Sequence, residues 1–127
     1  MDKMIHSKEF LAIVEDAKGR IREVSVAETR EHVANGASLI DVREDNEFEA
    51  EHAAGAKHMG RGVIDRDIVQ TFPVKDTELI LYCGGGYRSA LAADMLQKMG
   101  YTNVRSMAGG WTAWKEAGAP TDMPIPY

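Results

Sequence analysis

The sequence predicts an α/β domain, built on a parallel sheet of about five strands with helices on both faces. Five short segments predicted as strands alternate with helical patterns, at 23–26, 39–42, 56–59, 79–83 and 104–107. Strands that alternate with helices favour parallel pairing through helical crossovers. The runs at 39–42 and 79–82 are apolar apart from Asp41 and do not alternate, which is typical of strands covered on both faces.

Composition places the chain among ordinary globular proteins. Its 127 residues are 44% hydrophobic and 28% charged, which suffices for one domain with a buried core. The formal net charge of −5 argues against nucleic-acid and membrane-surface partners. We expect a single domain over 1–127, with an N-terminal helical extension at 1–21 and an extended, proline-rich tail at 119–127.

Cys83 is the only cysteine, which excludes an internal disulfide, a paired-cysteine redox centre and a cysteine-rich metal set. The N-terminal twenty residues carry charges throughout, and their longest apolar run spans 10–14. That run is too short for a signal-peptide core or a membrane span. We therefore expect a cytoplasmic location, where a thiol stays reduced.

An amphipathic helix is predicted over 7–18 and ends at Gly19. Its apolar residues recur at helical spacing: Phe10, Leu11, Val14 and Ala17. This helix either packs on the sheet or binds a partner, and packing is the favoured alternative. A second helix opens at the capping-box pair Ser25 and Glu28 and stops at Asn35-Gly36.

Three further helices are predicted. A short exposed helix lies around Phe48, within a run of six acids and one arginine at 41–51. The helix after Cys83 ends at Gly100 and buries one apolar face: Leu91, Ala92, Met95, Leu96 and Met99. The last helix follows Gly109-Gly110 and carries Trp111 and Trp114.

The segment around Cys83 has the pattern of a site that stabilises an anion. A buried strand ends there, a glycine run follows, and a helix opens near Arg88. Glycines adopt positive φ at little cost, so their backbone N–H groups can converge on the sulfur. A helix start adds roughly 0.3–1 kcal/mol of interaction with a nearby anion. A lone cysteine is usually an inert core residue, but the glycines and Arg88 indicate a stabilised, reactive thiolate.

Four segments resemble motifs of the rhodanese sulfurtransferases, in the family's order. Cys-x4-Arg-Ser, from Cys83 to Ser89, resembles the family's active-site loop. The other three are Leu-Ile-Asp-Val-Arg-Glu at 39–44, Glu-His-Ala-Ala-Gly-Ala at 51–56 and Met-Ala-Gly-Gly-Trp-Thr-Ala-Trp at 107–114. Glu51 stands where the family has a glycine. The resemblance covers about 24–120, which is most of the chain.

The resemblance implies sulfur transfer without a metal or an organic cofactor. Cys83 would attack the outer sulfur of thiosulfate or of a persulfide and hold it as a persulfide. Cyanide or a thiol, on a small molecule or on a protein, would then accept that sulfur. The active-site loop would comprise Gly84, Gly85, Gly86, Tyr87, Arg88 and Ser89. Related phosphatases and arsenate reductases have five residues between the cysteine and the arginine, whereas this chain has four.

A second function stays open at this point. The domain could be a binding module that docks a protein partner and carries or senses a persulfide, with weak turnover of thiosulfate. Arg88 is the only cation within the loop. A wide, weakly charged pocket would suit a protein or a large thiol better than a small dianion.

Four residues outside the loop are weaker candidates. Asp41 and Arg43 favour a local ion pair that braces the end of a strand. His52 has only His58 nearby as a partner for metal binding or general-base chemistry, so a hydrogen-bonded structural histidine is favoured. Arg61 either lines the approach to the cysteine or lies exposed to solvent.

Overall fold

The protein's computed structural model describes residues 6–123, and a five-stranded parallel sheet forms its centre. Over these residues the strands are β1 (Arg22–Val24), β2 (Ser38–Asp41), β3 (His52–Ala53), β4 (Lys57–His58), β5 (Leu79–Tyr82), β6 (Val104–Met107) and β7 (Thr121–Asp122). The helices over the same residues are α1 (Lys8–Lys18), α2 (Val26–Ala34), α3 (Asp45–Ala50), α4 (Ile64–Thr71), α5 (Tyr87–Lys98) and α6 (Gly110–Glu116).

The central sheet has the strand order β1-β6-β5-β2-β4, and β3 pairs with β7 in a small antiparallel sheet. All pairs in the central sheet are parallel. The predicted fold class is therefore confirmed. Because the strands are parallel, their carboxyl ends meet at one edge, where open α/β sheets bind ligands.

Strand β5 lies in the middle of the sheet, and its four residues are completely buried. Successive side chains point to opposite faces, so the strand contributes to two hydrophobic cores. Leu79 and Leu81 pack on the side that holds α4 and α5, whereas Ile80 and Tyr82 pack on the side that holds Trp114 of α6. Burying each such side chain contributes roughly 1.5–3 kcal/mol.

Strand β1 ends earlier than the sequence predicts. The sequence predicts a strand over 23–26, but β1 ends at Val24 because Ser25 is already the N-cap of α2. The predicted capping box is present: the Ser25 hydroxyl accepts from the Glu28 N–H, and the Glu28 carboxylate accepts from the Ser25 N–H. The helix signal therefore overrides the strand signal at this boundary.

Two features of the helices correct the sequence interpretation. Helix α4 is not predicted, because it buries only Ile64 and Ile68 among charged neighbours. The prediction that Met95 is a core residue is wrong, since 42% of it is exposed. Ala92 and Leu96 are buried as predicted, and the buried face also includes Ala90 and Ala93, whose short side chains let the helix lie close to the sheet.

Helix α1 packs against α5 rather than directly on the sheet, and it buries Val14 and Ala17. The Arg20 guanidinium anchors its end by donating to both carboxylate oxygens of Asp94, at 2.8 and 3.0 Å. The hydrogen bond from Arg20 outweighs burial and lowers the pKa of Asp94. The favoured expectation was packing on the sheet, and the structure corrects the packing partner to α5. No helix among residues 6–123 is long and apolar enough to cross a membrane.

A buried polar network joins the ends of β2 and β5. The ion pair expected between Asp41 and Arg43 is present, with Arg43 Nη2 at 2.8 Å from Asp41 Oδ2. The Tyr82 hydroxyl donates to the same carboxylate at 2.6 Å and accepts from the Ala53 N–H at 3.0 Å. Arg43 also donates to the Glu51 carbonyl at 2.7 Å. Burial and the Asp41 carboxylate both raise the pKa of Tyr82.

Replacing Tyr82 with Phe should lower the free energy of unfolding by about 3 kcal/mol, because it removes one donor from the buried Asp41 carboxylate and leaves the buried Ala53 N–H without a partner. Tyr101→Phe is the matched control, since Tyr101 is equally buried and its hydroxyl makes one bond, to the Phe72 carbonyl. That control should lose about 1 kcal/mol. Urea unfolding of both variants provides the measurement, and equal losses would contradict a special role for the network.

Candidate active site

Cys83 is the first residue after β5, so its sulfur lies at the carboxyl edge of the sheet. The residue is 1% exposed. Gly86 N-caps α5 with a φ of 98°, a conformation that favours glycine. In this conformation its N–H donates to Cys83 Sγ at 3.1 Å. The strand, the glycine loop and the helix start thus place one backbone N–H, that of Gly86, against the sulfur.

Two buried hydroxyls lie beneath the sulfur. Ser89 Oγ is 3.5 Å from Cys83 Sγ and 2.8 Å from Ser106 Oγ. Both serines are completely buried. Each hydroxyl can donate or accept, so the pair adapts to either protonation state of the sulfur by rotation alone. With a thiolate, Ser106 donates to Ser89 and Ser89 donates to sulfur.

Ser106 was not singled out from the sequence. A serine within the predicted strand 104–107 was an available signal. A polar side chain within a covered strand requires a hydrogen-bond partner. The partner, Ser89, comes from a different element, and only the fold brings the two together.

The first turn of α6 packs directly on the backbone of the cysteine loop. The Trp111 N–H donates to the Cys83 carbonyl at 2.7 Å, and the Thr112 N–H donates to the Gly84 carbonyl at 3.2 Å. Gly110 permits this approach, because a Cβ at that position would collide with the Cys83 carbonyl oxygen. The Gly-Gly pair before Trp111 is therefore explained by its contact with the loop.

Arg88 is paired with Glu47 of α3, a residue that sequence reasoning did not single out. Nη1 lies 3.0 Å from Oε1, and Nη2 lies 3.5 Å from Oε2. Burial opposes both charges, but the pairing raises the pKa of Arg88 and lowers the pKa of Glu47. The guanidinium lies over the loop, since a Cβ on Gly84 would be 3.2 Å from Nη2.

A pocket of about 910 Å³ opens in front of Cys83. Its lining comes from the N-terminal segment, the start of α3, the cysteine loop and α6: His6, Ser7, Phe10, Glu44, Glu47, Arg61, Cys83, Gly84, Gly85, Tyr87, Arg88 and Thr112. Arg61 is exposed and lines the same pocket as Cys83. The sequence did not predict that the N-terminal segment would line this pocket.

The other weaker candidates lie outside the pocket lining. Asp41 and Arg43 belong to the buried network described above. His52 bonds the Phe48 carbonyl through Nδ1 at 2.9 Å, and its ring stacks on Phe48 at 3.7 Å. His58 bonds the Arg43 carbonyl through Nε2 at 2.9 Å. Within residues 6–123, no group of three or more histidine, cysteine or acidic side chains is placed to hold a metal ion.

Comparison with known proteins agrees with this geometry. Residues 25–117 match the family model described as Rhodanese-like domain. Thiosulfate sulfurtransferase GlpE of Haemophilus influenzae is 31% identical over 102 residues, which cover 80% of this chain and 94% of that protein.

Two solved structures resemble the fold closely. The polysulfide-sulfur transferase homodimer of Wolinella succinogenes has a TM-score of 0.79 at 25% identity, covering 94% of this chain and 90% of that one. A Rhodopseudomonas palustris protein of unknown function, suggested to be a tyrosine phosphatase, has a TM-score of 0.78 at 28% identity. The alignment with that protein covers 96% of this chain and 99% of that one. The family match spans most of the chain, which therefore belongs to the rhodanese-like domain family.

Proposed function

We propose that the protein is a sulfurtransferase that carries sulfane sulfur on Cys83. One observation supports this most: the buried Cys83 sulfur accepts the Gly86 N–H at the carboxyl edge of the sheet and contacts a pocket of about 910 Å³. The relatives that are named as thiosulfate and polysulfide sulfurtransferases support the same chemistry. A single thiol fits a reducing compartment such as the cytoplasm.

The proposed reaction has two steps. The Cys83 thiolate attacks the outer sulfur of thiosulfate or of a persulfide, a new S–S bond forms, and the donor's S–S bond breaks. The electron pair leaves with sulfite or with the donor thiolate. Cyanide or a thiol then attacks the outer sulfur of the Cys83 persulfide, and the Cys83 thiolate returns. The Gly86 N–H and the Ser89 hydroxyl stabilise the sulfur anion in both states.

Arg88 and Arg61 are the cations of the pocket lining, and we assign them the orientation of an anionic donor. Asp41, Arg43 and His52 are assigned a supporting role, because they brace the elements around the loop. We also propose that 1–127 form one domain, with 1–21 as the N-terminal extension and 119–127 as the tail. Residues 1–5 of that extension and 124–127 of that tail lie outside the described residues.

A persulfide carrier that docks a protein partner is the second candidate function. The size of the pocket is the observation that favours it, since a small dianion fills little of a volume of about 910 Å³. Steady-state kinetics separate the two candidates. An enzyme for small donors turns over thiosulfate efficiently, whereas a carrier turns over protein-borne persulfides far faster.

Cys83→Ser should abolish persulfide formation, because Cys83 is the only thiol in the chain. Incubation of the wild type with thiosulfate should give a species heavier by one sulfur atom in intact-mass analysis. Cyanide or excess thiol should remove that sulfur. Retention of sulfur transfer by Cys83→Ser would show that the mechanism is wrong.

Arg88→Lys should lower kcat/KM for thiosulfate by about tenfold or more, because lysine cannot pair with Glu47 through two nitrogens and still present a planar fork. The matched control is Arg66→Lys, since Arg66 is exposed, pairs only with Asp67 among the described residues and lies off the pocket. That control should keep wild-type kinetics. If both variants had the same kinetics, Arg88 would contribute no more to sulfur transfer than an exposed surface residue.

The wild type should transfer sulfur from thiosulfate without hydrolysing aryl phosphates. Four residues separate Cys83 from Arg88, so the loop is one residue shorter than that of the related phosphatases. Displacements of about 1 Å can cost roughly a hundredfold in rate, so one residue of loop length is enough to decide the chemistry. Assays on thiosulfate and p-nitrophenyl phosphate, each repeated with Cys83→Ser, provide the measurement. Cys83-dependent phosphatase turnover without thiosulfate turnover would overturn the proposal and favour the phosphatase suggested for the Rhodopseudomonas protein.

A further inference from the structure

An aromatic surface, formed by His6, Phe10 and Tyr87, lines part of the pocket that contains Cys83. The His6 and Phe10 ring centroids are 5.0 Å apart. The Tyr87 ring meets both edge-on, at 4.7 Å from His6 and 6.4 Å from Phe10. Two of these rings come from the N-terminal segment and one from the active-site loop, so the surface adjoins the reacting sulfur.

The fold holds the aromatic surface in place. The Ser7 hydroxyl caps α1 by accepting from the Phe10 N–H at 3.0 Å. At the other end of α1, Arg20 is bound to Asp94 of α5. Lys18 Nζ lies 5.3 Å from the centroid of the Tyr87 ring. Because the family match begins at residue 25, two of the three rings come from a segment outside the matched region.

The charge and size of the pocket argue for a donor larger and less charged than thiosulfate. Among residues 6–123, the charged side chains of its lining are two acids, Glu44 and Glu47, and two bases, Arg61 and Arg88. These formal charges cancel, so the pocket offers no net attraction to a dianion. Pockets of about 300–1,000 Å³ bury molecules the size of a drug, and their lining is mostly apolar with a few polar groups.

We propose that the aromatic surface is a subsite for the apolar organic group of a monoanionic sulfur donor, an organic persulfide or a thiosulfonate. This inference rests on the proposed sulfur transfer by Cys83. The Cys83 thiolate bonds to the donor's outer sulfur, and the bond between that sulfur and the rest of the donor breaks. The electron pair leaves with the organic thiolate or sulfinate. One S–S bond replaces another, so no further oxidant or reductant is needed.

Two donors test the subsite, methanethiosulfonate and benzenethiosulfonate, with cyanide as the acceptor and thiocyanate as the measured product. They share the charge and the reacting group, and they differ in the group that would meet the aromatic surface. The wild type should prefer benzenethiosulfonate by about tenfold in kcat/KM, the order of an aromatic contact. Phe10→Ala and His6→Ala should each reduce that preference by about fivefold, mainly through KM.

Leu11→Ala is the control, because Leu11 is 42% exposed on the same helix and lies outside the pocket lining. It should keep the wild-type preference. An unchanged preference in Phe10→Ala and His6→Ala, with all donors still turned over, would refute the subsite and leave sulfur transfer intact. Failure of every donor to produce thiocyanate would overturn both proposals. His6 precedes the first residue of α1, so His6→Ala leaves the sequence of the helix unchanged. It therefore tests the subsite even if Phe10→Ala does not fold.

Discussion

The position of the Cys83 sulfur depends on a backbone contact between the first turn of α6 and the carbonyl of Cys83. The Trp111 N–H fixes that carbonyl at 2.7 Å. Only glycine at position 110 allows the approach, because any Cβ would overlap the same oxygen and its φ is 52°. With the carbonyl fixed on one side, the side chain of Cys83 leaves the strand in one direction. Helix α6 therefore positions the sulfur together with the start of α5, whose Gly86 N–H bonds the sulfur directly.

The same helix joins the loop to the buried polar network. The Trp111 ring lies 4.7 Å from the Arg43 guanidinium, whose other partners are the Asp41 carboxylate and the Glu51 carbonyl. Removing one partner of a buried ion pair costs about 3–5 kcal/mol, because the other charge is left uncompensated. Asp41 and Arg43 lie outside the pocket lining, yet through Trp111 they bear on the loop that holds the sulfur.

Features with a local signal could be predicted from the sequence. Strand β6 has the predicted bounds, 104–107, and β5 ends at Tyr82, one residue before the predicted end at Cys83, where the apolar run meets the glycines. Glu47 could not be found in this way, because it meets Arg88 across 41 residues of sequence and resembles its acidic neighbours. Periodicity likewise placed Met95 on the apolar face of α5. Periodicity shows which face of a helix is apolar but not how closely that helix approaches the sheet, and Met95 is therefore exposed although it lies on the apolar face.

The pairing of Glu47 with Arg88 affects how a persulfide on Cys83 would be held. Glu47 takes one donor from each terminal nitrogen of the guanidinium, which fixes its plane over the loop. The remaining N–H groups of the fork are not engaged by Glu47. On the inner side of the sulfur, the Gly86 N–H and the Ser89 hydroxyl already occupy the approach. The second sulfur of a Cys83 persulfide would therefore extend into the pocket, toward the Arg88 guanidinium. Glu47 orients that guanidinium and leaves its remaining N–H groups able to donate.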